Sequence, residues 1–212
     1  LDIGQPSDDT VTAAKLNDNV ISGQTALAAT PADTDELLIS DAGTIKRIDF
    51  SHLKTGITEA DLWRIIDGAG VATSNTRTVI TGTWERADDS AVGYVGSGMS
   101  QSSGVFTFPQ TGFYLVEFIA QYYASADRRY VAAIIEATTN NSDYDRLAFG
   151  RSHIEHSYGT TYAQPTTSTI IDVTDTSNVK VRFLSQSEDS ATLNTATDEN
   201  YTYAVFIRLG DT

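Results

Sequence analysis

The stretch Ser102–Phe118, SSGVFTFPQTGFYLVEF, decides how this chain folds. Its first half, GVFTFP, predicts a strand that ends at Pro109, because proline has no N–H to donate to a neighbouring strand. Residues 110–112, QTG, then predict a turn. A second strand begins at Phe113, so the stretch predicts two strands joined at a corner.

The strand predicted for residues 113–118 is apolar on both of its faces. Side chains alternate across a strand, so Phe113 and Leu115 share one face, and the other face carries Tyr114, Val116 and Phe118. In a two-layer sandwich one face packs on the opposing sheet, and the other needs a neighbouring subunit or a loop to cover it. The stretch therefore predicts a sandwich strand with a second cover.

Short strands separated by polar turns continue from about Thr76 to Thr212. Apolar and polar residues alternate regularly in VKVRF, residues 179–183, and in YTYAVFIRL, residues 201–209. Many short strands at near-even spacing, without a helical pattern between them, indicate an antiparallel sandwich or jelly roll. We expect residues 76–212 to form this domain.

Residues 1–24 are polar, and one copy has too few apolar side chains to form a core, whereas three copies side by side could share them. These apolar positions are Val11, Leu16, Val20 and Ile21. The chain also starts at Leu1 rather than Met, so we expect further sequence upstream. The interpretation for residues 1–56 is a trimeric shaft segment.

A β-hairpin is predicted within this shaft segment, over residues 36–50 (ELLISDAGTIKRIDF). Residues 41–43, DAG, form its turn. The apolar residues of the two arms are Leu37, Leu38, Ile39, Ile45, Ile48 and Phe50. Because a lone hairpin is marginally stable in water, this one needs partners.

Residues 57–75 predict a short amphipathic helix followed by a linker. Thr58 and Asp61 have the spacing of a capping box, and glycines at 68 and 70 suit the end of a helix. The apolar stripe between them is Leu62, Trp63, Ile65 and Ile66.

The composition excludes several function classes. The chain has 14 Lys and Arg against 28 Asp and Glu, a net charge of −14, so it would repel a nucleic-acid backbone. It has no cysteine, which rules out disulfides and thiolate metal sites. No apolar run reaches the roughly 18 residues needed to span a bilayer, and we expect no membrane insertion.

One motif resembles a known family. Gly104, Phe106, Pro109, Gly112 and Tyr114 match the order G-x-F-x-x-P-x-x-G-x-Y, the signature of the trimeric jelly-roll heads shared by complement-q and tumour necrosis factor (TNF) relatives. The ending NYTYAVFIRLGDT is similar to the short aromatic strand that closes those domains. The resemblance covers about residues 76–212 and implies a TNF-like head and a homotrimer.

In such heads the subunits meet along an apolar threefold axis. The resemblance, with the two-sided strand, makes eight residues candidates for the trimer interface: Phe113, Tyr114, Leu115, Val116, Phe118, Tyr201, Tyr203 and Val205.

The first third of the chain resembles bacteriophage tail-fibre and virion appendage proteins, particularly those of marine phages. The similar runs are TVTAAKLNDNVISG and DELLISDAGTIKRIDFSHLK, and the segment that begins at WERADDSAVGYVG looks like heads at the ends of such appendages. The resemblance implies an extracellular-facing virion location, with the same chain, other virion proteins and a host cell-surface glycan or protein as partners.

Catalysis is not indicated by the residues. The chain has three histidines, and it contains no G-x-S-x-G elbow, phosphate-binding glycine loop or H-E-x-x-H motif. His153 and His156 are three apart on a predicted strand and so point to opposite faces, although one His from each chain could ring a metal on a trimer axis.

The paired carboxylates 88–89, 188–189 and 198–199 would suit calcium chemically but lack the spacing of a calcium-binding loop. We expect no cofactor and no catalytic or metal site.

Receptor contact would use exposed aromatic and planar polar groups on loops. The candidates are Tyr144, Tyr158, Tyr162, Arg128 and Arg129. We therefore expect a non-enzymatic trimeric virion fibre whose head binds the host surface. The alternatives are a head that only assembles the shaft onto another virion protein, a bacterial adhesin, or a glycan-active enzyme on the same fold.

Overall fold

The computed structural model describes residues 23–53, 56–67, 71–72 and 75–212. The chain divides into two compact units, Leu1–Gly56 and Ile57–Thr212, which we call the hairpin unit and the head. The apolar positions predicted to be shared between copies of the shaft, Val11, Leu16, Val20 and Ile21, lie outside the described residues.

The hairpin unit contains the hairpin that the sequence predicts. Strands β1 (Glu36–Asp41) and β2 (Thr44–Asp49) pair antiparallel, and a 3-10 turn follows at Phe50–His52. Ala42 and Gly43 form the two-residue turn, and their φ angles of 49° and 86° suit the twist of a hairpin. Leu38 and Ile45 remain 78% and 74% exposed, so the unit does not cover its own apolar side chains.

The head is built almost entirely from antiparallel strands, which confirms the predicted fold class. In chain order they are β3 (Ala60–Asp67), β4 (Val71–Ala72), β5 (Thr78–Val79), β6 (Thr83–Arg86), β7 (Ser100–Ser102), β8 (Val105–Thr107), β9 (Gly112–Ile119), β10 (Tyr122–Ala124), β11 (Arg128–Thr138), β12 (Asp145–Ile154), β13 (Thr161–Ala163), β14 (Thr166–Val173), β15 (Lys180–Ser187), β16 (Ala191–Leu193) and β17 (Tyr203–Gly210).

Two large sheets and one small sheet organise these strands. The five-stranded sheet has the order β14-β9-β17-β3-β6, and the six-stranded sheet has the order β12-β11-β15-β8-β7, with β5 also paired to β15. The four-stranded sheet has the order β13-β10-β16-β4. The pairs β11-β12 and β7-β8 are hairpins, but most other neighbours are far apart in sequence, so the fold depends on long-range pairing.

An aromatic cluster fills the space between the two large sheets. Phe106 lies at its centre, with its ring centroid 5.0 Å from that of Trp84 and 5.4 Å from that of Phe183. Phe118 and Phe206, from two strands of the five-stranded sheet, close the cluster from the other side. Each fully buried phenylalanine contributes roughly 1.5 to 3 kcal/mol by removing apolar surface from water.

The motif residues between Gly104 and Tyr114 each have a physical role at the predicted corner. Gly104 has a φ of +79° and lies so close to the carbonyl of Ile80 that a Cβ would clash. Gly112 has a φ of +137° and approaches the carbonyl of Gly210 in the same way. The Tyr114 hydroxyl donates to the carbonyl O of Gln110 at 3.1 Å, which ties the turn to strand β9.

The helix predicted within residues 57–75 is wrong, because Ala60–Asp67 forms strand β3 of the five-stranded sheet. Arg64 pairs with Tyr203 of β17 on one side and with Glu85 of β6 on the other. Leu62, Trp63, Ile65 and Ile66 follow a helical spacing, but they fit a strand covered on both sides equally well. In the structure β3 is part of the head, which therefore starts before Thr76.

No helix in the part of the chain that the structure describes is long and apolar enough to cross a lipid bilayer.

Candidate functional site

The outward side of the five-stranded sheet carries an apolar surface that the described residues of the head leave partly exposed. We call it the open sheet face, and it consists of Leu62, Phe113, Leu115, Ile170, Tyr203, Val205, Ile207 and Leu209. The strand register aligns Ile170, Leu115 and Ile207 in one row across three strands. Ile170 and Leu209 are 59% and 56% exposed, an unusual environment for large apolar side chains on one sheet face.

The structure corrects part of the predicted trimer interface. Tyr114, Val116 and Phe118 face the aromatic cluster and are fully buried within one chain, so they cannot contact another subunit. The sequence predicts them at the interface because strand 113–118 is apolar on both sides, and the sequence alone does not say which side points inward.

The remaining interface candidates lie outside the core. Phe113, Leu115, Tyr203 and Val205 belong to the open sheet face, and Tyr201 is half-buried just before β17. Their contact with another copy stays a prediction.

A buried arginine interrupts the apolar character of this side. Arg64 projects from β3 on the same side as Tyr203, and its guanidinium donates to Glu85 at 2.8 Å and to Asp88 at 3.2 Å, with a third, shorter bond to Asp89. Burial alone lowers the pKa of Arg64, but the hydrogen bonds to Glu85 and Asp89 outweigh burial, and the pKa is raised. Arg64 thus stays charged and holds the segment after β6 against the sheet.

Two buried carboxylates, Glu59 just before β3 and Asp61 on it, hold the neighbouring segment, residues 97–99. Glu59 accepts from the backbone N–H groups of Ser97 and Gly98, at 3.1 and 2.9 Å. Asp61 accepts from the backbone N–H of Met99 at 2.7 Å and from the Arg86 guanidinium at 3.0 Å. The sequence does not reveal this role, because Asp61 has the spacing of a helix cap with Thr58.

A cleft opens beside the four-stranded sheet, where strands β10, β13 and β16 lie side by side. We call it the end cleft. It has a volume of about 460 Å³, and both polar and apolar groups line it. The lining side chains that could contact a ligand are Tyr123, Ser125, Arg128, Thr160, Ser190 and Thr192.

Two groups in the end cleft have the chemistry of a recognition site. The ring of Tyr123 lies 5.9 Å from the ring of Tyr162 on the adjacent strand, and Tyr162 is 57% exposed, so the pair offers an aromatic surface. The Arg128 guanidinium donates to the carbonyl O of Ser190 at 2.8 and 2.6 Å and to that of Asp127 at 2.6 Å. These bonds fix the guanidinium and use three of its five N–H donors.

The structure brings together only some of the predicted receptor-contact residues. Arg128 lines the end cleft, Tyr162 stacks beside it, and Tyr158 is 93% exposed two residues before Thr160. The loop that carries Tyr158 is held where the backbone N–H of His156 donates to Asp127 at 2.7 Å.

The other two predicted residues have different environments. The backbone N–H of Arg129 donates to Glu188 at 2.7 Å and its guanidinium pairs with the same carboxylate, which lowers the pKa of Glu188. Tyr144 lies against Arg182 of the six-stranded sheet, with the guanidinium carbon 3.8 Å from the ring centroid.

Three of the six carboxylates considered for calcium pair with arginines. Asp88 and Asp89 bind Arg64, and Glu188 binds Arg129. Within the described ranges, no group of three or more histidine and carboxylate side chains is arranged to hold a metal ion. His153 lies exposed on β12, and the His156 ring contacts the carbonyl O of Gly159 at 2.7 Å.

Solved structures share the fold of the head. Eiger TNF from S. frugiperda superposes with a TM-score of 0.52 at 13% identity, over 74% of this chain and 96% of that one. Murine APRIL at pH 5.0 is similar with a TM-score of 0.48 at 12% identity, over 71% of this chain and 99% of that one. No family model and no curated protein matches the chain. The sheet topology and the superposition on Eiger TNF show a jelly roll of the TNF type, as the sequence predicted.

Proposed function

We propose that this chain is the subunit of a homotrimeric, non-enzymatic virion fibre whose head binds the host cell surface. The observation that carries the proposal is the open sheet face, a row of large apolar side chains across three strands of the main sheet. Such a surface on a small domain marks a protein–protein contact. Around a threefold axis, three copies cover one another's faces and close the assembly.

The hairpin unit supports association of the same kind. Leu37, Leu38 and Ile45 are exposed on its two strands, and the lone hairpin cannot bury them. Copies of the hairpin brought together by a trimeric head would cover these side chains. The virion location rests on the resemblance of residues 11–54 to fibre and appendage proteins.

The end cleft is the proposed receptor contact. An aromatic pair stacks on a sugar or anchors a protein side chain, and a fixed guanidinium donates to an acceptor beside it. A trimer presents three such clefts on one rigid body, so weak single contacts combine into strong attachment.

Sedimentation equilibrium of the whole chain tests the assembly. We expect a trimer, and Val205→Asp should dissociate it because the new carboxylate would be buried against the neighbouring copies. Tyr158→Asp is the control, since it adds the same charge at a side chain that is 93% exposed in the loop beside the end cleft. A wild-type chain that sediments as a monomer would refute the trimer.

Binding of labelled trimer to candidate host cells tests the end cleft. Tyr162→Ala should weaken binding at least tenfold, whereas Tyr94→Ala, which removes an exposed tyrosine elsewhere in the head, should not. Binding to virion components but not to cells would replace receptor contact with an assembly role. Release of reducing sugar from host polysaccharide would show that the head is an enzyme.

A further inference from the structure

The outward side of the six-stranded sheet concentrates arginines in an acidic chain. Strand β12 lies at the edge of this sheet and places Arg146, Phe149 and Arg151 on its outer side. Arg146 is aligned with Glu136 of β11, which is in turn aligned with Arg182 of β15. We call Arg77, Tyr130, Arg146, Phe149, Arg151 and Arg182 the arginine face.

Aromatic rings hold these guanidinium groups in place. The guanidinium carbon of Arg151 lies 4.5 Å from the ring centroid of Phe149 and 4.8 Å from that of Tyr130. Arg146 contacts Phe149 from 5.0 Å. A guanidinium against a ring keeps its N–H edge available, and the contact restricts a side chain that would otherwise be mobile. The arginines are therefore prepositioned to donate to an anion.

The charge of this face differs from that of the chain. Four arginines face one carboxylate, which gives the arginine face a charge of +3, whereas the whole chain carries −14. Glu136 is almost fully buried and already binds Arg182 at 2.7 Å and Arg77 at 3.5 Å. Among the described residues, Arg146 and Arg151 have no carboxylate within ion-pair distance.

These observations identify the chemistry of the partner. Carboxylate and sulfate groups accept paired hydrogen bonds from guanidinium groups, and the partly exposed rings of Phe149 and Tyr130 suit the apolar side of a sugar. A nucleic-acid duplex is long and stiff, so it would also meet the strongly acidic remainder of the chain. A single flexible polymer strand can follow β12 and avoid that surface.

We propose that the arginine face binds an anionic polysaccharide, a chain of sugars that carry carboxylate or sulfate groups. The face belongs to the six-stranded sheet, on the other side of the sandwich from the open sheet face, and shares no residue with the end cleft. The interaction therefore does not depend on the trimer or on the receptor contact proposed above.

Calorimetric titration of the whole chain with dextran sulfate tests this, with uncharged dextran as the reference polymer. We expect binding to dextran sulfate alone, and weaker binding at 200 mM than at 50 mM salt, roughly as for other polyanions. Arg146→Gln combined with Arg151→Gln should weaken binding at least tenfold. The same pair should lower the slope of log affinity against log salt concentration by about two, because two cationic contacts are lost.

The matched control is Lys46→Gln combined with Arg47→Gln, which removes the same charge from the hairpin unit. It should leave the affinity unchanged. Arg146→Lys combined with Arg151→Lys keeps the charge but loses the planar donors, so it should bind with intermediate affinity and unchanged salt dependence. This variant also serves as the test if the glutamine pair does not fold, as judged by circular dichroism.

Four results would overturn the proposal. They are no binding of dextran sulfate, equal loss of affinity in both charge-removing pairs, full affinity in the Arg146→Gln and Arg151→Gln pair, and equally tight binding of duplex DNA or polyglutamate. Sedimentation of the same samples separates these results from a failure of the trimer.

Discussion

The two outer faces of the head use the same alternating strands but have opposite chemistry. On the five-stranded sheet a band of leucine, isoleucine, valine and aromatic side chains points outward with Glu117 among them, and Arg64 is covered by carboxylates of its own chain. On the six-stranded sheet the small apolar patch around Ile134 and Leu184 is bordered by arginines that lie against aromatic rings. A sheet face with exposed apolar side chains therefore suits another apolar surface. A sheet face whose apolar side chains are bordered by arginines suits an anionic partner.

The same substitution on each face should give opposite results. Phe113→Asp places a carboxylate on the open sheet face and should abolish the trimer at concentrations where the wild-type chain is fully assembled. Phe149→Asp, on the arginine face, should cost some stability but leave the assembly intact. Light scattering after size-exclusion chromatography measures both. Dissociation by Phe149→Asp would show that the faces are not separate in function.

A substitution in the aromatic cluster between the two sheets should destabilise the whole head, and with it both outer faces. Phe106→Ala removes the central ring between the two sheets and should lower the free energy of unfolding by about 3 to 5 kcal/mol, because the cavity cannot collapse among rigid rings. Urea unfolding followed by circular dichroism measures the loss. A cost below about 1 kcal/mol would mean that the sheets are not held together by this cluster.

A smaller loss of stability is expected when the bonds between Asp61 of β3 and residues 97–99 are weakened. Asp61→Asn keeps the shape of the side chain but removes the charge that binds Arg86 and leaves a donor facing the Met99 N–H. We expect a loss of about 2 to 3 kcal/mol, since Arg86 can still turn toward water. Asp145→Asn is the control, at an exposed carboxylate at the start of β12.

The smallest expected effect is a fall in the stability of the head at alkaline pH. Burial, together with the nearby Glu59 carboxylate, raises the pKa of Tyr114 to about 12. An unfolded tyrosine titrates near pH 10, so above that pH the unfolded chain loses a proton that the folded head keeps, and stability falls as the pH rises. One such tyrosine should cost about 1 kcal/mol by pH 11.

In Tyr114→Phe, the folded and unfolded chains should differ by one proton less at alkaline pH. The free energy of unfolding should therefore fall less steeply with pH than in the wild-type chain. Urea unfolding at pH 9, 10 and 11 provides the comparison, and the same decline in the variant and the wild-type chain would show that Tyr114 does not contribute. Burial also raises the pKa of Tyr122, so part of the decline should remain in the variant.

Local sequence patterns predicted those strands that are joined by a turn with a recognisable sequence. The segment from Gly104 to Tyr114 encodes its turns because its glycines take positive φ angles, proline ends a strand and the Tyr114 hydroxyl binds the turn, and Ala42 with Gly43 encodes the hairpin. Strand β3 was misassigned because its partners, β17 and β6, are distant in sequence. Its apolar spacing fits a helix or a two-sided strand, and only the pairing decides between them.

The surfaces were predicted less completely than the fold for a related reason. Arg128 and Tyr162 were chosen as exposed, separate candidates, and the pairing of β10 with β13 brings Tyr123 and Tyr162 together. Arg146 and Arg151 attracted no prediction, because their relation to Phe149 depends on the register of β12 and its bulge. Register across a sheet is not visible in one strand's sequence.

Both tryptophans of the chain, Trp63 and Trp84, pack edge-on against Phe106, with ring centroids 5.6 and 5.0 Å away. Since residues 1–56 contain no tryptophan, intrinsic fluorescence reports on the interior of the head alone. Circular dichroism sums the head and the hairpin unit. The difference between the unfolding curves from fluorescence and from circular dichroism therefore measures how independently the hairpin unit unfolds. No added label is needed.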